Sequence, residues 1–180
     1  MERSIRAARI EDAEAMAALH VRAWQAAYRG ILTDEFLDGL SVEEWAKKRR
    51  EALGKPASPD TRWWVLERGA ILEGFCVTGP SRDPDAAAGE AEVYAIYVEP
   101  VAVGRGLGRL LMEHALADLG RRGIARASLW VFEENARARA FYEKAGFRRD
   151  EGAPPKVKEF GGTRAPEVRY RVGPGEGPAG

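Results

Sequence analysis

The stretch Val103-Gly104-Arg105-Gly106-Leu107-Gly108 does most to limit what this chain can become. It follows a β-type run, Glu92 to Val98, and opens a helix on which Leu107, Leu110, Leu111 and Ala115 make a broad apolar face. Glycines let backbone N–H groups approach an anion closely, and the positive end of a helix dipole holds it there. A strand, a glycine-rich turn and a helix start therefore suit a phosphate. The dinucleotide pattern fails, because Arg109 stands where its last glycine belongs, and the absence of Gly-Lys-Ser/Thr excludes an ATP-type loop. Taken alone, the stretch equally fits a tight connection whose glycines need positive φ.

The rest of the chain sets the turn in an alternating pattern. Ile5 to Ala8 reads as a strand, and Asp12 as the N-cap of a helix carrying Met16, Leu19, Ala23 and Ala27, ended by Gly30. Ser41 and Glu44 form a capping box, Leu40 and Trp45 a hydrophobic staple, and Gly54 and Pro56 stop that second helix near Leu53. Trp63 to Glu67 and Ile71 to Thr78 form a hairpin around Arg68-Gly69-Ala70, and Gly79 to Gly89 is a breaker-rich loop. After the turn come a helix (Leu107 to Leu119), a strand (Ala127 to Phe132), a helix (Ala136 to Ala145), a strand from Phe147, and a last strand, Glu167 to Val172. This order predicts an α/β fold, a mixed sheet flanked by helices.

At 180 residues the chain fits a single domain, residues 1–172. Residues 173–180, rich in Gly and Pro, have nothing to bury and read as a disordered tail. Lys plus Arg number 28 and Asp plus Glu number 28, so no global basic field exists to hold nucleic acid. No run of about eighteen apolar residues spans a bilayer, and Met1 to Ile10 carries no signal pattern. A soluble, cytoplasmic protein without a membrane partner is expected. With one cysteine and two histidines, no metal site is expected, and Cys76 reads as a small core residue.

Over a wider span, Tyr97 through Leu111, the turn resembles the acyl-CoA-binding motif of the GNAT acyltransferase superfamily, Arg/Gln-x-x-Gly-x-Gly/Ala after a strand. A second stretch, Asn135-x-x-Ala138-x-x-Phe141-Tyr142-x-x-x-Gly146-Phe147, is similar to that family's second motif, in the right order about thirty residues on. The resemblance implies the GNAT-like fold and acetyl-CoA as co-substrate. Val103, Gly104, Arg105, Gly106, Leu107 and Gly108 would hold the pyrophosphate, with Arg109 beside them and Asn135 touching the cofactor. It also implies a strand that splays at a bulge, freeing the backbone of Ile96, Tyr97 and Val98 to pair with the pantetheine arm. Val103 departs from the pattern, since Arg or Gln is usual there, and weaker affinity is the expected result.

The same resemblance gives an N-acetyltransferase that passes an acetyl group to a small-molecule or peptide amine by direct attack in a ternary complex. It admits a homodimer. Such a reaction needs a base, for which Glu92 is the candidate, with Glu90 or a water relay as alternatives, and an acid, for which Tyr142 is the candidate. Locally, Asn135 is also an N-cap, Tyr142 part of a core stripe and Glu92 an ordinary strand residue. The segment Trp24 through Trp45 covers the acceptor pocket in this family, although its aromatics read as core before pocket lining. The competing readings are a sensor module that binds acyl-CoA without turnover and a structural protein that has lost the cofactor.

Overall fold

The computed structural model describes residues 2–55 and 60–173; Pro56, and 174–180 of the expected tail, lie outside the described residues. Strands β1 (Arg3–Ala7), β2 (Arg62–Arg68), β3 (Ile71–Pro80) and β4 (Ala91–Val98) run antiparallel in that order. Then β5 (Ala127–Phe132) lies parallel to β4. β8 (Thr163–Val172) is antiparallel to β5, while β6 (Arg148–Arg149) and β7 (Lys156–Phe160) both pair with β8. The helices are α1 (Ala13–Ala27), α2 (Asp34–Asp38), α3 (Val42–Gly54), α4 (Leu107–Arg121) and α5 (Ala136–Lys144). The parallel pair needs a crossover, and α4 supplies it.

Strand alternation sorts the core onto two faces. Leu66, Cys76, Val93, Leu129, Val131 and Tyr170 turn toward Leu107, Leu111 and Met112 of α4, with Phe141 and Tyr142 of α5 packed against them. Val65, Phe75 and Val77 turn to the opposite side, against Met16, Leu19 and Ala23 of α1. A Cβ on Gly74 would lie 2.9 Å from the Leu111 Cδ1 and 2.9 Å from the Tyr97 carbonyl oxygen, so glycine is what lets α4 settle on β3. Cys76 is fully buried, and burial pushes its thiol up to about 12, as suits a core residue.

Several boundaries differ from the sequence reading for local reasons. Asp12 does not cap α1: its carboxylate accepts from the Arg9 backbone N–H at 2.7 Å and from the Arg6 guanidinium at 2.7 and 2.9 Å, closing the 3-10 turn before the helix. Ser41 does cap α3, accepting from the Glu44 N–H at 3.2 Å. Gly79 and Pro80 extend β3 rather than begin the loop. The strand expected from Phe147 is only the two residues of β6, and two elements went unforeseen: α2, capped by the Thr33 hydroxyl, and β7.

The sheet opens at one place. Val77 opposes Ala95 while Thr78 opposes Val93, so Tyr94 is an extra residue in β4, a bulge that sharpens the local twist. β4 and β5 pair only at Ala91 with Ala127 and Glu92 with Ser128. Beyond them Ile96, Tyr97 and Val98 stay paired to β3 on one edge, with no β5 partner on the other.

Candidate active site

The glycine turn lies at the end of this opening. Gly104 and Gly106 have φ of +84° and +81°, a left-handed conformation that side chains resist, and a Cβ on either would meet nothing within 4 Å. Conformation, not crowding, requires these glycines. Gly106 also stands at the N-cap of α4 without a side-chain cap, and the first N–H to close on the helix is that of Leu110, on the Gly106 carbonyl at 3.0 Å. The N–H groups of Leu107, Gly108 and Arg109 therefore belong to the unclosed first turn, where an anion is best accommodated. Val103 lies partly exposed at the start of the turn, its N–H donating to the Pro100 carbonyl at 3.3 Å. Arg109 points along the helix to Glu113, with Nε to Oε1 at 2.7 Å, and Arg105 lies close enough to Glu73 to help hold its carboxyl low.

Asn135 stands across the gap. Its Oδ1 accepts from the Ala138 N–H at 3.1 Å, so it caps α5 as its local context suggests, and its amide nitrogen stays available. Tyr142, two turns along α5, packs beside Phe141 and Phe147 at 5.2 and 6.1 Å between ring centres. Among the described residues its hydroxyl has no hydrogen-bond partner. Burial, then the nearby Tyr97, push its pKa well above the ordinary tyrosine value, so the proton stays on.

Tyr97 comes to the gap from the α1 side. It accepts a hydrogen bond from the Trp24 Nε1 at 2.9 Å and interacts with the Tyr28 hydroxyl. Trp24, Tyr28, Phe132 and Phe160 meet edge to face at 4.9–5.9 Å. The aromatics of the 24–45 segment thus build a core over the end of β5, in agreement with the sequence reading.

Beside the gap on that same face is a cavity of about 310 Å³ whose walls include Arg82, Glu92, Trp130, Lys156, Lys158 and Glu167. Glu92 is buried, and both of its oxygens are taken. Arg82 donates its backbone N–H at 3.0 Å and Nε at 3.2 Å to one, and Nη2 at 2.5 Å to the other. Glu90 is turned away into the 81–90 loop, accepting from the Ala87 N–H and the Arg171 Nε, each at 3.1 Å. Arg82, Lys156, Lys158 and Glu167 are residues at this site that sequence reasoning did not single out. The charged alternation of β8, with Glu167, Arg169 and Arg171 opposite Val168, Tyr170 and Val172, was the one available signal.

The mixed sheet thus opens between two parallel strands, with the glycine turn at one side of the opening and Tyr142 at the other. The profile of the Acetyltransferase (GNAT) family matches residues 14–147, and the chain belongs to that family. A probable N-acetyltransferase of Mycobacterium tuberculosis is 31% identical over 172 residues, covering 93% of this chain and 92% of that protein. A mycothiol acetyltransferase of Beutenbergia cavernae is 46% identical over 91 residues, 49% of this chain and 29% of the relative's length. Among solved structures, the PaiA N-acetyltransferase of Thermoplasma acidophilum, in complex with coenzyme A, has a TM-score of 0.70 at 22% identity, covering 96% of this chain and 99% of that one. Membership makes the protein an acetyl-CoA-dependent acyltransferase. Among the described residues no helix is long and apolar enough to cross a membrane.

Proposed function

We propose that residues 1–172 act as one catalytic unit that transfers an acetyl group from acetyl-CoA directly to a primary amine, both substrates being bound together at the β4–β5 opening. The observation that carries this reading is the opening itself, which reaches both faces of the sheet. Tyr142 stands on its α4–α5 side and Tyr97 on its α1 side, close enough to influence each other. Two substrates can therefore meet without the enzyme carrying the acetyl group in between.

The residues fit acetyl-CoA. The unclosed first turn of α4 and the left-handed Gly104 and Gly106 suit its pyrophosphate, with Val103, Arg105, Leu107, Gly108 and Arg109 completing the turn. The free edge of Ile96, Tyr97 and Val98 suits the pantetheine amides as an added strand, and Asn135 can donate its amide from the far wall. When bound, acetyl-CoA supplies the thioester carbonyl that the amine attacks. Tyr142 gives its proton to the departing sulfur as the C–S bond breaks, and solvent restores that proton. Burial keeps the hydroxyl protonated until that moment. Glu92, with both oxygens on Arg82, serves in this reading as the anchor of the 81–90 loop.

The test is turnover of acetyl-CoA with an amine panel, read by free-thiol release. The panel comprises an amino-acid amide, spermidine, a peptide with a free N-terminus and a lysine peptide. At least one amine should release thiol in stoichiometric step with its own acetylation. Tight acetyl-CoA binding without turnover would favour the sensor reading, and acetylated protein accumulating without amine would rule out direct transfer.

A further inference from the structure

We propose that Glu167, on β8, is the carboxylate that takes the proton from the attacking amine, a step that rests on the direct-transfer reading above. Register sets its place. Glu167 pairs with Phe132, the last residue of β5, and with Lys156 of β7, so it stands at the end of β5 that β4 has left. Directly opposed residues share a face, and every second residue along a strand returns to it. Glu167 thus shares its face with Phe132, Trp130 and Ser128, and through Ser128 with Glu92, away from the Val168 and Tyr170 core. It is on the cavity wall, next to the opening.

Glu92, Glu90 and Glu167 are the candidate carboxylates, and their partners distinguish them. Glu92 holds three hydrogen bonds from Arg82, and Glu90 is engaged by Arg171 and the Ala87 N–H. The half-buried Glu167 side chain has no hydrogen bond or ion pair among the described residues, so its carboxylate lone pairs are open to an incoming N–H. Its charged and titratable surroundings are Lys156 and Lys158 from β7, Glu92 from β4, Arg82 from the loop, and the hydroxyls of Tyr28 and Tyr97. Lys156 is itself committed to Asp83 at 2.6 Å. Burial, against the pull of the lysines, raises the proton affinity of Glu167 above the ordinary carboxylate value. That is the direction a general base needs. Glu167 lies on the face opposite the Val168 and Tyr170 core and Tyr142 packs on the core face, so the base and the acid flank one opening from opposite faces.

The proton count closes. An ammonium N–H bond breaks and its proton goes to the Glu167 carboxylate; the freed nitrogen lone pair attacks the thioester carbon. Tyr142 gives its proton to the leaving sulfur while the nitrogen loses its second proton to solvent as the C–S bond breaks; solvent then reprotonates Tyr142 and takes the first proton from Glu167, so that one proton is released overall.

The experiment compares kcat/KM against pH for wild type, Glu167→Gln, Glu167→Asp and Glu92→Gln, using the best amine from the panel, with acetyl-CoA affinity measured for each. Glu167→Gln should lose about a hundredfold or more below the amine's pKa. The deficit should shrink as pH rises and the amine arrives already neutral, with acetyl-CoA affinity held. Glu167→Asp should recover part of the rate. Glu92→Gln, whatever its fall in rate, should keep the wild-type pH dependence. A pH-independent loss in Glu167→Gln, no loss at all, or a pH-dependent deficit that follows Glu92→Gln instead would overturn the assignment. Each of these leaves direct transfer standing, whereas acetyl-enzyme formation without amine removes direct transfer itself.

Discussion

The Glu92 carboxylate and the Arg82 guanidinium are bound through both carboxylate oxygens, yet the carboxylate side chain is 4% exposed and the guanidinium side chain 64%. The pair is therefore unequal. Removing Arg82 leaves a buried charge with one backbone donor, whereas removing the charge of Glu92 leaves an arginine that can turn to water. Arg82→Ala should destabilise the protein by roughly 1–3 kcal/mol, and Glu92→Gln by clearly less. Urea unfolding of both variants at neutral pH checks this. Equal losses would mean that the pair is not anchoring the loop in the way its geometry implies.

Tyr142→Phe keeps the ring against Phe141 and Phe147 and removes only the hydroxyl. Acetyl-CoA affinity should hold while kcat falls roughly tenfold to a thousandfold, within the range of positioned acid catalysis. Stopped-flow measurement of the chemical step gives the relevant rate. A variant with unchanged chemistry would leave Tyr142 a packing residue.

Much of the region from Glu92 to Phe147 was legible in the sequence because each boundary there has a chemical marker: Gly106 before α4, Asn135 before α5, and Gly146, with φ of +93°, after it. Asp12 misled for a physical reason, since Arg6 binds the side chain that would otherwise cap the helix. The helix α2 has five residues, too few to show a period, and β7 carries Lys156, Lys158 and Glu159 on a largely exposed ribbon with little apolar alternation. The glycine turn was readable because its backbone conformation requires glycines at 104 and 106. Glu167 was not, because its role comes from β8 meeting the end of β5, a contact made 35 residues away along the chain.

Gly74→Ala tests how closely α4 must sit on the sheet. The new Cβ would press on the Tyr97 carbonyl oxygen, part of the backbone and unable to swing aside, as well as on Leu111. Overpacking of this kind costs about 1–3 kcal/mol. Gly79→Ala meets only the tip of the Tyr94 ring and should cost less. Thermal unfolding should rank the two in that order, and the reverse order would show that the bulge is the tighter contact.

His20 makes stability depend on pH. Burial, then Arg49, push its pKa down to about 3, whereas an unfolded histidine titrates near ~6.5. The folded state thus binds fewer protons across that interval, and stability falls as pH drops below ~6.5, by at most about 1.4 kcal/mol per pH unit from this residue. His114 shifts in the same direction through burial. Asp12 and Glu73, held low by Arg6 and Arg3, contribute only further down, below about pH 4. His20→Gln keeps an acceptor for the Arg49 Nη2, now 2.7 Å from the His20 Nδ1, and removes the titration. Between about pH 6.5 and 4.5 its unfolding free energy should fall less steeply than that of the wild type. Glu167 is present in both proteins and cancels from the difference.

Direct transfer at the β4–β5 opening requires acetyl-CoA to be held at the Gly104–Gly108 turn. Calorimetric titration of acetyl-CoA into wild type and Gly106→Glu, at fixed ionic strength, addresses this directly. The substitution forces a side chain into a left-handed position at φ +81° and sets a negative charge where the pyrophosphate should lie. Saturable binding by the wild type and a loss of at least about tenfold in the variant, a difference of about 1.4 kcal/mol, is the predicted result. Equal affinity in two equally folded proteins would contradict it and move the cofactor elsewhere.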